Sequence, residues 1–129
     1  MGALDGYRTK LESFRRYSHE EFLEDEDLHQ LAARYVQLAC ECMLDLSQHV
    51  ISDRGYRQAQ DYKDAIEVLR EEGVVDDDLA ARIKGWMGFR NVLVHLYLAT
   101  DHQRTYETIQ EELGDLEEFA ERLGRLMDE

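Results

Sequence analysis

Not one of the 129 residues is proline, and the eight glycines sit mostly at the ends of apolar-periodic segments. A chain without proline can run long helices with no forced break, whereas a strand-rich fold needs turn punctuation at much shorter intervals. The fold class that follows is all-α, and the length suits one domain, residues 1–129, with a core of its own.

Apolar spacing places the helices. The first is expected over about Leu4 to Tyr17, with Tyr7, Leu11 and Phe14 on one side. Ser18 followed by Glu21 forms a capping box and predicts a short helix over Glu20 to Glu24. The longest is expected over about Asp27 to Ser52. There Leu28, Leu31, Tyr35, Leu38 and Cys42, with Ala39, Met43, Leu46 and Val50 alongside, keep a three-four spacing for about seven turns. Such a helix should be the spine of a four- to five-helix up-down bundle. Gly55 ends it, Asp61 starts a helix over Tyr62 to Glu72, and Gly73 stops that one. Asp76 to Asp78 open a helix running to about Leu98, and Thr100 or Asp101 caps a last one reaching Leu126.

Charge and cysteine content narrow the function. The net charge is −14, and a field of that sign repels nucleic acid, so an RNA or DNA role needs a local basic groove or a basic partner. Arg54, Arg57, Lys63, Arg82, Lys84 and Arg104 are the candidates for such a groove. Cys40 and Cys42 stand two apart on a helix, about 200° around its axis, and cannot pair there; reduced core residues are expected. No segment approaches the ~18 apolar residues of a membrane span. No apolar core follows a basic start either, so no secretory signal is expected and the cytoplasm is the expected location. Glu26 and His29 make one Glu-x-x-His match, but a di-metal carboxylate site needs a second on another helix, and none exists. His29 and His49 are then expected near the surface.

The unusual polar residues fall between Asp76 and Leu98. Phe89, Val92, Leu93 and Leu96 make the core-facing set. At about 100° per residue, Asn91 and His95 share the opposite face, while Arg90 and Tyr97 share a second one at the flank of the apolar stripe. One helix cannot bring all four together; a second copy of the same helix packed over it can. Attack of a 2′-hydroxyl on its own phosphate needs a base, an acid and a cation. Histidine, with an intrinsic pKa of about 6.5, suits the proton transfers, and a fork-shaped arginine suits the phosphate. A dimer supplies two of each.

The string Gly88-Phe89-Arg90-Asn91-Val92-Leu93-Val94-His95-Leu96-Tyr97 resembles the signature of the HepT-like HEPN ribonuclease toxins, including their terminal tyrosine. Asp45-Leu46-Ser47-Gln48-His49-Val50-Ile51 resembles the end of that family's second helix. Tyr62 to Leu69 followed by Gly73-Val74-Val75 resembles its third helix and loop. The similarity spans about Leu28 to Leu126 and is looser before Glu26. It implies a HEPN-type bundle that dimerises through the motif helix. It also implies a metal-independent endoribonuclease acting on tRNA or mRNA, with no cofactor, in which Arg90 and His95 are catalytic and Asn91 supports them. The implied partner is a separate MntA-like minimal nucleotidyltransferase, an antitoxin that transfers AMP to Tyr97, and the dimer is open to larger assemblies with it. The alternative is a HEPN chain that no longer cuts RNA and only binds such a nucleotidyltransferase, a reading the acidic charge favours.

Overall fold

Four helix starts in this chain are set by side-chain acceptors, and two of the stops by glycine. The computed structural model describes residues 2–95 and 102–127, without the side chains of His95 and Met127. Among these residues the elements are α1 (Gly2–Ser13), a 3₁₀ turn (Phe14–Arg16), α2 (His19–Glu24), α3 (Glu26–Arg54), α4 (Tyr62–Glu71), α5 (Asp77–His95), α6 (His102–Glu111) and α7 (Gly114–Met127). Both halves of the capping box are made: the Glu21 amide donates to Ser18 Oγ at 3.1 Å and the Ser18 amide to the Glu21 carboxylate at 2.9 Å. Asp25, Asp61 and Asp76 accept from the amides of Leu28, Asp64 and Leu79 at 3.1, 2.7 and 2.8 Å, which satisfies donors that a helix start otherwise leaves open. After α3 and α4 the backbone enters the left-handed region at Gly55 (φ 68°) and Gly73 (φ 73°), where a side chain is disfavoured.

α3 is the spine. Its 29 residues span about 43 Å, and it contacts all six of the other α-helices. The face it buries keeps Ala39, Met43 and Val50 of the expected stripe but is shifted from the rest of it. Ala32, Val36, Ala39, Cys40, Met43, Ser47 and Val50 are buried, whereas Leu28, Tyr35, Leu38 and Cys42 are half-buried and Leu31 is 49% exposed. The reason is steric. Alanine, cysteine and serine let neighbouring helices approach closely, so the most buried line is rich in small residues and the larger apolar ones flank it.

Two expected helices are divided. The first ends at Ser13, and the backbone tightens into the 3₁₀ turn, which carries Phe14 into the core at 6% exposure. The last becomes α6 and α7, and the described residues hold seven α-helices where a four- to five-helix bundle was expected. At the break the bonds shorten to three-residue steps, from Asp115 N to Glu112 O and from Leu116 N to Leu113 O. Gly114, a poor helix former, lies between them. Arg15 Nε then donates at 2.9 Å to the Ile109 carbonyl, one of those left at the end of α6. The expected extension of the motif helix to Leu98 lies outside the described residues. His29 is also not at the surface. It is 7% exposed, near the Phe22 ring and with the His102 ring 3.7 Å away between centroids, because the first turn of α3 is covered by α2 and α6.

One polar knot sets the rotation of α5. Trp86 Nε1 donates to Asp115 Oδ2 at 3.0 Å, and Arg82 Nη1 donates to Asp115 Oδ1 at 2.7 Å. Arg82 Nη2 continues to Glu118 at 2.8 Å. Asp115 is buried, with both oxygens used. Removing the carboxylate leaves a buried indole N–H and a half-buried guanidinium short of acceptors. Asp115→Ala should therefore lower unfolding free energy by about 2–3 kcal/mol in urea titration. A loss below ~0.5 kcal/mol would show that the knot does not hold α5.

Candidate functional site on the motif helix

α5 has two unlike faces beyond the knot. Leu79, Ile83, Trp86, Met87 and Phe89 are buried, while Asn91 is exposed, with Val92 and Leu93 half-buried against the core. Phe89, Val92 and Leu93 thus face inward as expected. Gly88 lies under α4. A Cβ there would stand 3.4 Å from Lys63 Nζ and 3.5 Å from its Cε, so the lysine lies in ordinary contact with this part of α5.

Arg90 lies between these faces, and its seat is built by other helices. Its guanidinium carbon is 4.5 Å from the centroid of the Tyr62 ring on α4. Nη2 reaches a Glu41 oxygen on α3 at 3.4 Å, and Gln37 Nε2 donates to that same oxygen at 3.1 Å. Nη1 reaches Asn91 Oδ1, also at 3.4 Å. The side chain is 14% exposed, and its Nε is buried with no acceptor in reach among the described residues. Two long contacts and an orphaned donor leave a guanidinium poorly satisfied, which is costly for a buried cation and favours an incoming anion. The ring beneath it contributes a cation–π contact and no oxygen.

The four predicted residues are brought together only in part. Arg90 and Asn91 touch, although they point about 100° apart on the helix, because the long guanidinium reaches round. His95 closes α5 one turn beyond Asn91 on the same face, but its side chain is outside the described residues. So is Tyr97. Glu41 and Tyr62 were missed as site residues. The signal for them was faint: the Gln37–Glu41 pair lies four apart beside the apolar stripe of α3, and Tyr62 follows a cap.

Of the proposed basic residues, most are already engaged. Arg57 donates to Asp64 and Glu71, Lys84 to Glu67, and Arg54 to the Leu126 carbonyl. Arg82 belongs to the knot, and Arg104 lies 4.4 Å over the Phe89 ring. A cleft of about 390 Å³ opens between α5 and α6 by Arg82, Trp86, Phe89, Arg104 and Glu107. Neither Arg90 nor its partners Tyr62, Glu41 and Asn91 line it, so it is separate from the Arg90 seat. No group of three or more metal-ligating side chains is found among the described residues, and His29 of the Glu-x-x-His match is spent in packing.

Comparison with known proteins decides the family. The family model described as ribonuclease HepT-like matches residues 4–123. The chain belongs to the HepT-like family. A relative from Archaeoglobus fulgidus is 32% identical over 88 residues, 68% of this chain and 66% of that one, just under two thirds of its length. The mRNA nuclease HepT of Shewanella oneidensis is 24% identical over 101 residues, 78% of this chain and 76% of that protein. In three dimensions this HepT-like chain superposes on the tri-AMPylated Shewanella oneidensis HEPN toxin, solved in complex with MNT antitoxin. The TM-score is 0.89 at 19% identity, covering 96% of this chain and 92% of that one. It also superposes on YutE of Bacillus subtilis, a cytosolic protein of unknown function, with a TM-score of 0.81 at 22% identity and coverage of 97% and 86%. At these identities the structures speak to the fold, and the fold is that of the HEPN toxin.

Beside Arg90 the Cys40 thiol is buried, and burial pushes its pKa up to about 12 against a lesser pull from the guanidinium. Its Sγ donates to the Trp86 carbonyl. The pKa of half-buried Cys42 is raised too, again by burial. Both thiols stay protonated at neutral pH, so neither is a ready nucleophile. Iodoacetamide at pH 8 should label folded protein at Cys42 first and at Cys40 only after denaturation, read by peptide mass. Rapid labelling of Cys40 in the folded chain would contradict the assignment.

Proposed function

We propose that this chain is the toxin of a toxin–antitoxin pair, a metal-independent endoribonuclease that cleaves cellular tRNA or mRNA. Two copies of α5 meet across a two-fold axis and form one cleft. Arg90 from each chain holds the scissile phosphate and stabilises the charge that builds on it. His95 from each chain supplies base and acid, one taking the 2′-hydroxyl proton and the other protonating the leaving 5′-oxygen. Asn91 orients the histidine or donates to phosphate. The observation that carries this reading is the Arg90 guanidinium, seated on an aromatic ring with an orphaned donor in a chain of net charge −14. A structural arginine would be expected to take its full set of acceptors where carboxylates are plentiful. The family match and the nuclease name of the Shewanella relative support it.

The antitoxin in this reading is a separate MntA-like minimal nucleotidyltransferase that transfers AMP to Tyr97, and the place of action is the cytoplasm. The support is the tri-AMPylated state of the Shewanella toxin beside its MNT antitoxin. Among the described residues no helix is long and apolar enough to cross a membrane. The alternative keeps the fold but drops the chemistry: a HEPN chain that only binds a nucleotidyltransferase. The strong negative charge favours it, because the whole-molecule field opposes RNA.

Cleavage separates the two. Purified, unmodified wild type should cut tRNA or mRNA in the presence of a chelator, and Arg90→Ala and His95→Ala should each lower the rate by about 10²-fold or more. Intact RNA with wild type, or equal cutting by all three proteins, would leave the binding-only reading. Co-expression with a minimal nucleotidyltransferase should add whole AMP units to the intact mass, absent in Tyr97→Phe. An unchanged wild-type mass, or the same shift in Tyr97→Phe, would remove the modification at that tyrosine.

A further inference from the structure

We propose that Lys63 is a substrate-binding residue that holds an RNA phosphate beside the scissile one; this rests on the ribonuclease reading. In a chain with 29 acidic and 15 basic residues, a surface lysine on a helix is expected to find a carboxylate. The natural partner four residues on, Glu67, is already taken. Arg70 donates to both its oxygens at 2.7 Å and Lys84 adds a third bond at 2.8 Å. Those cations hold the Glu67 carboxyl down at about 2, so it stays an occupied anion. The adjacent Asp64 is spent on Arg57, at 2.8 and 2.9 Å, and on the Gln60 amide. Lys63 is left exposed, with no carboxylate partner among the described residues.

Its position gives that charge a use. The Lys63 side chain extends from the first turn of α4 onto α5, where it lies against Gly88. Gly88, Asn91 and His95 fall on one face of α5, at steps of three and four residues. Lys63 therefore sits one turn before Asn91 and about 10 Å along the axis before His95. Tyr62, its neighbour in sequence, carries Arg90. The start of α4 thus presents one residue under the phosphate-holding arginine and the next over the face that leads to the histidine. A strand held at Arg90 and His95 passes Lys63 on its way out of the site. Apart from Arg90, the other basic residues along α4 and α5, Arg70, Arg82 and Lys84, are neutralised by carboxylates, so Lys63 supplies positive charge that phosphate can still use.

The salt dependence of binding tests this directly. Anisotropy of a short labelled single-stranded RNA with 2′-O-methyl sugars, which lack the attacking hydroxyl, is measured between about 50 and 200 mM salt. For Lys63→Gln the slope of log K against log salt should fall by at least ~0.7 relative to wild type, the share of one phosphate contact on a single strand. Lys63→Arg should keep the wild-type slope. Parallel slopes for wild type and Lys63→Gln would overturn the proposal, as would a wild type that shows no salt-dependent binding. Cleavage of ordinary RNA by Arg90→Ala in the same experiment reports on the ribonuclease reading alone. If that variant cuts as well as wild type, the reading fails, while the binding slopes still decide whether Lys63 meets phosphate.

Discussion

The bonds from Trp86 and Arg82 to Asp115 fix α5 about its own axis, and the site depends on that rotation. With Trp86 Nε1 and Arg82 both tied to one buried carboxylate on α7, the core side of α5 is defined at its middle. Everything one to three turns further on then has its direction set. Phe89 goes inward, Arg90 goes to the edge between α3 and α4, and Asn91 faces outward. A rotation of one residue would bury the asparagine and strip the arginine of its ring. Helix packing, not local preference, places the chemistry.

On the proposed ribonuclease reading, the same edge resolves the conflict between an acidic molecule and an anionic substrate. Coulomb energy over long range opposes RNA, yet screening confines that opposition to about a Debye length, ~10 Å at 0.1 M salt. Inside that distance, local donors decide. Arg90 meets one carboxylate, at a long 3.4 Å, and rests on an aromatic face. Around it the acidic residues of α4 are occupied by their own arginines, with Asp64 held down at about 2 by Arg57 and Glu67 likewise by Arg70. Carboxylates so paired present little free negative charge to a phosphate passing the start of α4.

Much of this was legible in the sequence because the responsible signals are local. The Ser18–Glu21 box, the Asp61 cap and the Gly55 and Gly73 stops act over three or four residues, and each stands where expected. The string from Gly88 to Tyr97 gave the family without any tertiary information. What the sequence hid is set by contacts far apart in the chain. The buried face of α3 includes Ala32, Cys40 and Ser47, small residues that apolar patterning underweights. The division of α6 from α7 appears with Arg15 capping a carbonyl 94 positions away. Burial of His29 depends on α2 and α6 closing over it, and the seat of Arg90 is assembled from Glu41 and Tyr62 on two other helices. None of these partners is recognisable by spacing along one helix.

The proposed site is complete only when two chains meet: Arg90 and Asn91 touch within one chain, but each chain brings a single His95, and the reaction needs a base and an acid. The most direct test couples sedimentation equilibrium to RNA cleavage over a dilution series of the same purified protein. Specific activity per chain should fall in step with the dimer fraction and vanish where the chain is monomeric. Undiminished activity in a sample that sediments as a monomer would contradict the account.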